Sequence, residues 1–170
     1  MANVLNRRTM QYLTSVHTPA YDPNEWVINP ELSAVKGVPV KLWVLEGNKV
    51  RKMSQLEEVQ TYLPVEIEKA ARQLGFELEL YIDQHYDAGQ KASLTAAWVE
   101  GGLKGYQKRV ARIEQVWTWV KAVIDYFYAV VRQMMGARSF AQLESIKWDF
   151  SAFDAGDPLV SVAEVKQINE

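Results

Sequence analysis

Two histidines are the only imidazoles in the chain, and one of them, His85, stands in an acidic setting: Asp83-Gln84-His85-Tyr86-Asp87. Asp83, His85 and Asp87 together are the residue types that ligate a metal. Their spacing argues against it. On a helix, positions i and i+2 point about 200° apart, so Asp83 and Asp87 share a face that His85 does not join. The favoured reading of His85 is a half-buried side chain at the end of an apolar stripe. A second acidic group, Asp149, Asp154 and Asp157, follows in Lys147-Trp148-Asp149-Phe150-Ser151-Ala152-Phe153-Asp154-Ala155-Gly156-Asp157-Pro158. It lacks the spacing and the glycine of a calcium loop, and the three acids read as turn and cap residues. Trp117-Thr118-Trp119 offers aromatic faces. At helical spacing Trp117 points to an apolar seam, which leaves Trp119 as the exposed, contact-making tryptophan. Gly101-Gly102-Leu103-Lys104-Gly105 reads as an interhelical break without a preceding strand, so it is no phosphate cradle. No nucleophile elbow and no zinc spacing is present. The chemistry-bearing residues therefore point to no catalytic, cofactor or metal site, and the chain reads as a non-enzymatic protein.

The elements around them are more telling. Tyr106, Val110, Ile113, Trp117, Val120, Ile124, Phe127, Val131 and Met134 alternate spacings of four and three, with Val116, Val123 and Val130 in a second row. This predicts a long helix over residues 105–135 with an apolar stripe wider than a coiled-coil seam, as a bundle requires. Leu63, Ile67, Ala71, Leu74, Leu78, Tyr81 and His85 form another helical stripe, with Gly75 as its weak point. Ser54-Gln55-Leu56-Glu57 is a capping box for a short helix that Pro64 should interrupt. Gly89 should end the following helix, and Leu94, Ala97 and Trp98 mark another. Ser139 and Ser161 open two further short helices. Residues 40–53 read as a β-hairpin turning at Glu46-Gly47-Asn48.

Residues 1–39 are punctuated by Pro19, Pro23, Pro30 and Pro39 and keep no period, so they read as an extended arm. The arm is nonetheless rich in large apolar side chains. With the hairpin and Trp119 it supplies the interaction candidates Tyr21, Trp26, Ile28, Leu32, Trp43 and Trp119. The expected organisation is arm 1–39, hairpin 40–53, helical bundle 54–146, and an irregular C-terminal segment 147–170 with a short helix packed on the bundle. The fold class is mainly α.

Composition narrows the partners. Lys and Arg number 19 against 21 Asp and Glu, and the net charge is −2. The basic residues are scattered pairs, so no nucleic-acid footprint is expected. No window approaches the roughly 20 apolar residues that span a bilayer, so no membrane insertion is expected. There is no cysteine, so no disulfide holds the fold. No signal peptide opens the chain, and synthesis in a cytoplasm fits.

Four patches carry a resemblance. Val16-His17-Thr18-Pro19-Ala20-Tyr21-Asp22, Trp26-Val27-Ile28-Asn29-Pro30-Glu31-Leu32-Ser33-Ala34-Val35 and Gly37-Val38-Pro39-Val40-Lys41-Leu42-Trp43 resemble the N-termini of small tailed-bacteriophage virion proteins. Tyr86, then Gln90-Lys91-Ala92-Ser93-Leu94, then Trp98, is similar to helical segments of phage tail-fibre and tail-associated proteins. The resemblance touches about half the chain and carries over no functional residue. It implies a structural component, a fibre, neck or tail accessory, made in the host cytoplasm and resident in the virion. Such a protein would anchor by its N-terminal arm to capsid, neck or tail proteins and form a homo-oligomer, with a trimer favoured. An assembly chaperone or adaptor for tail or fibre proteins is the alternative, ahead of a small lytic or glycan-cleaving enzyme.

Overall fold

The structure is a computed structural model that describes residues 1–170. The chain is mainly helical and divides into two compact units, Met1–Tyr62 and Leu63–Glu170.

In the first unit, β1 (Ala2–Asn6), β2 (Tyr12–Val16) and β3 (Trp26–Ile28) form an antiparallel sheet in the order β2-β1-β3. Asparagines shape it. Asn6 Oδ1 accepts from the amides of Arg8 and Thr9 at 2.9 and 2.8 Å, closing the β1–β2 turn as an Asx turn does. The β1–β2 register shifts between Ala2 and Val4, beside Ser15 at φ 57°, and Asn3 Oδ1 accepts the Ser15 amide across this bulge. The arm expected over residues 1–39 is therefore a folded sheet. Its strands are three to five residues long and one is bulged, too short and interrupted for an alternating pattern to register.

The hairpin follows as β4 (Trp43–Glu46) and β5 (Lys49–Lys52), paired from Trp43↔Lys52 to Glu46↔Lys49, with Gly47 at φ 63° in the turn. It shares one core with the sheet: Leu5, Val27, Val35, Trp43 and Val50. Arg7, just past β1, donates to Gly47 O at 2.9 Å and Asn48 Oδ1 at 2.7 Å, tying the sheet to the hairpin loop. Arm and hairpin are one folding unit.

The helices are α1 (Gln55–His85), α2 (Ala88–Lys104), α3 (Gln107–Gly136), α4 (Phe140–Ser145) and α5 (Val162–Gln167). The first two turns of α1 belong to the first unit and the rest to the second. Ser54 and Glu57 cap α1 reciprocally, with the Ser54 amide 2.8 Å from Glu57 Oε2. Pro64 lies inside α1 and does not interrupt it. It withholds one helical hydrogen bond, while the apolar stripe around it, from Leu63 to Leu74 and Ile82, is buried and holds the helix together. Gly89 also falls inside a helix. The break comes at Tyr86-Asp87, where Asp87 and Gln90 form a capping box for α2. That helix runs through Gly101 and Gly102, and only Gly105, at φ 73°, ends it. No helix is long and apolar enough to cross a membrane.

Along α3 the burial is phased differently from the expected seam. Its most buried line is Arg109, Ile113, Val116, Val123, Val130 and Met134, so the valine row lies at the centre of the stripe. Val110, Trp117, Ile124 and Val131 are only half-buried on one flank, and Trp119 is buried on the other.

Candidate functional site

The densest set of ionisable and aromatic side chains gathers where α1 ends. Tyr81 and His85 are one turn apart on α1 and share a face, and Tyr86 follows directly. Opposite them runs the link between α4 and α5, in which Ser151–Gly156 winds as a 3₁₀ turn. Three-residue spacing eclipses side chains in such a turn, so Asp154 and Asp157 both come to face α1. The Asp157 amide caps the turn by donating to Asp154 O at 3.2 Å.

Asp157 is the hub, with its side chain 3% exposed. It accepts from Tyr86 Oη at 2.6 Å and from the Leu159 amide at 2.9 Å, and its Oδ2 lies 2.7 Å from His85 Nδ1. Asp154 is more exposed. It accepts from Tyr81 Oη at 2.6 Å and stands 3.5 Å from His85 Nε2. Trp119 packs on the imidazole, with centroids 5.0 Å apart, and donates from Nε1 to Phe153 O at 2.9 Å. Tyr81 stacks on Phe150 at 5.5 Å.

These contacts shift the titrations in opposite senses. Burial pushes the Asp157 carboxyl up, but the donors Tyr86, the Leu159 amide and His85 outweigh it and hold the group below the usual carboxylate range. Burial, and then the hydrogen bond to Asp157, push the Tyr86 phenol up to about 12. Burial and Asp154 push Tyr81 up as well. Both phenols are thus kept as donors to carboxylates.

Beside the cluster lies an open groove of about 430 Å³, lined by Tyr81, Gln84, His85, Asp149, Ser151 and Asp154 among others. An imidazole oriented by a buried carboxylate is one half of a general-base device. Here the other ring nitrogen faces Asp154, and the phenols are spent on the same two carboxylates. No buried side-chain nitrogen or oxygen is left without a partner. These contacts join the α4–α5 link to the end of α1. Asp83 and Asp87, the alternative neighbours of His85 in sequence, are engaged elsewhere, with Lys91 at 2.6 Å and as the α2 cap.

The interaction candidates separate by location. Trp43 is buried in the first core and donates to Val38 O at 2.8 Å. Leu32 packs against the same core. Trp119, expected to be exposed, is 5% exposed, because the α4–α5 link folds over that flank of α3. In the first unit Tyr21 and Trp26 are half-buried and meet edge to face at 5.0 Å, and Ile28 is 36% exposed.

Two features stand out only in three dimensions. His85 meets Asp157 across 72 residues of chain. Arg109, buried at 3%, donates to Ile168 O, Lys166 O and Asn169 Oδ1, reaches Glu100, and lies 4.8 Å over the Tyr106 ring. An arginine three residues into a helix carries no sequence signal for such burial. No family model, curated protein or solved structure matches the chain.

Proposed function

We propose that this protein is a non-enzymatic structural component of a phage particle, which docks on capsid, neck or tail proteins through the outer face of its first unit. One observation carries the reading. The β1–β3 sheet has its shared core on one face only: Leu5 and Val27 point inward, with Tyr12 beside them. On the other face Leu13 and Ile28 pair with Val4, which is itself fully buried, so the surface offered there is Ile28, with the half-buried Leu13 and Trp26 and with Tyr21 against the Trp26 ring. Aromatic and aliphatic side chains grouped on a sheet surface are the composition of a contact face. The paired-off ionisable groups around His85 support a structural role over an enzymatic one.

The helices of the second unit are the proposed oligomerisation module, a helical bundle that self-associates as a trimer. Leu103, Val99 and Trp98 on α2, at 85%, 48% and 39% exposed, are among the apolar positions available for it.

The test is particle incorporation. Truncating residues 1–39 would remove three of the five buried residues of a shared core, so a surface change is the sound probe. Ile28→Glu should fold as wild type, by circular dichroism, and be depleted at least tenfold from purified particles, by mass spectrometry. Equal incorporation of the variant rejects this docking face. Particles that never contain the wild-type protein reject the structural role and leave the assembly-factor reading. A monomeric solution mass rejects the oligomer.

A further inference from the structure

We propose that residues 149–160 form a strap whose grip on α1 is set by the charge of His85: closed when the imidazole is protonated and bridges Asp157 and Asp154, loosened when it is neutral. The geometry separates the two contacts chemically. Nδ1, 2.7 Å from the buried Asp157, donates in either charge state, because a neutral imidazole still carries one N–H. Nε2, 3.5 Å from Asp154, has no proton to offer once Nδ1 holds the only one, so that contact is attractive only in the imidazolium. One side chain thus makes a permanent bond to the strap and a conditional one.

The strap depends on such contacts because little else in it is regular. Its one regular element is the six-residue 3₁₀ turn, entered and left through Phe153 N to Phe150 O and Asp157 N to Asp154 O. The groups that face it are few. From α1 come Tyr81, His85 and Glu77, the last accepting from Trp148 Nε1 at 2.6 Å just before the strap. Tyr86 binds both Asp157 and the Val160 amide. From α3 come the Trp119 ring, the Tyr126 hydroxyl that accepts from the Asp149 amide, and Arg112, whose Nη2 donates to Pro158 O at 3.0 Å while its Nε holds Glu164 of α5. The strap's own acids are Asp149, Asp154 and Asp157. Between about pH 5 and 8 imidazole is the one side chain of these that ordinarily changes charge. The depressed carboxyl of Asp157 keeps the buried acceptor ionised throughout that interval.

The device predicts which amides respond. Those of Phe153, Asp157 and Leu159 should be better protected from hydrogen exchange at about pH 5.5 than at about pH 7.5, after correction for intrinsic rates. Asp154 is 56% exposed, so solvent screens the conditional contact, and the step should be about two- to fivefold. Amides in the middle of α3, such as Val123, serve as the reference and should show no step. His85→Gln should abolish the step. Asp154→Asn, which keeps both the Asp157 bond and an acceptor for Tyr81, should also abolish it while leaving protection near pH 7.5 as in wild type. His17→Gln, at the exposed second histidine, should retain it. A flat wild-type profile overturns the proposal, and so does a step that survives in Asp154→Asn. The latter variant decides the matter even where His85→Gln folds poorly.

Discussion

Five buried residues, Leu5, Val27, Val35, Trp43 and Val50, make the core of the first unit, shared among strands of three to five residues. Fourteen, from Leu74 to Val165, make that of the second, strung along helices of up to 31 residues. The small core is supplemented by polar ties: the Asx turn at Asn6, Arg7 on the hairpin loop, and Arg51 between Glu46 and Glu57. The large core uses such ties to fasten its non-helical parts, Arg109 for the C-terminal stretch and Asp157 for the strap. A small core stands closer to the margin at which one side chain decides folding.

That difference can be broken at its strongest point. Leu5→Ala and Leu74→Ala each delete a fully buried side chain, and each should cost about 2–5 kcal/mol. Against five core residues this loss should unfold the first unit; against fourteen it should only lower the melting temperature of the second. Near-ultraviolet signals from Trp43 should vanish in Leu5→Ala while helical circular dichroism persists. A Leu5→Ala protein that keeps its first-unit tertiary signals would show the two cores to be equally robust.

The same difference governed how much could be read from the residues alone. Helices of 17 to 31 residues repeat their pattern several times, so α1, α2 and α3 announced themselves. Their phase did not. On α3 a four-three seam and a valine row lie side by side, and which one faces inward depends on neighbours that periodicity does not contain. Pro64 and Gly89 misplaced helix ends because tertiary burial outweighs local breakers. The sheet of residues 2–28 was invisible, since short bulged strands repeat nothing. At the site, His85 and the Asp149–Asp157 acids each drew notice separately, and no local rule joins residues 72 apart. Trp119 was misjudged for the same reason, as the link that covers it lies 34 residues on.

The polar ties give a middle-sized test. Arg109→Met keeps the buried stem but removes the bonds to Ile168 O, Lys166 O and Asn169 Oδ1. Those acceptors lie near the chain end and can reach water, so the loss should be about 2 kcal/mol. It should be accompanied by faster hydrogen exchange at residues 166–170. Unchanged exchange there would mean that α5 packing, through Val165, holds the end without the guanidinium.

Neighbouring glycines on α2 separate packing from backbone freedom. A Cβ on Gly102 meets nothing within 4 Å, so Gly102→Ala should stabilise by about 1 kcal/mol through helix propensity. A Cβ on Gly101 would sit 3.2 Å from Arg109 Cδ and 3.3 Å from Val110 Cγ2. There the gain should be cancelled or reversed. Equal gains in the two thermal melts would show that the α2–α3 contact is looser than these distances imply.

The smallest effect concerns a tie open to solvent on one side. Arg51 donates to Glu57 at 2.7 Å from both terminal nitrogens. This pair, and after it the Ser54 amide and hydroxyl, hold the Glu57 carboxyl down at about 2. Because the folded value lies below the unfolded one, whatever the tie contributes is present above the ordinary carboxylate range and is lost as the pH falls through about 2. Arg51→Gln should raise the Glu57 midpoint, seen in its side-chain carboxyl ¹³C shift, and leave it still depressed by the Ser54 cap. Stability at neutral pH should barely move, since water already competes for an exposed pair. An unmoved midpoint would assign the depression to the cap alone and make the hairpin-to-helix tie dispensable, leaving the five-residue core to hold the first unit with the bonds of Arg7.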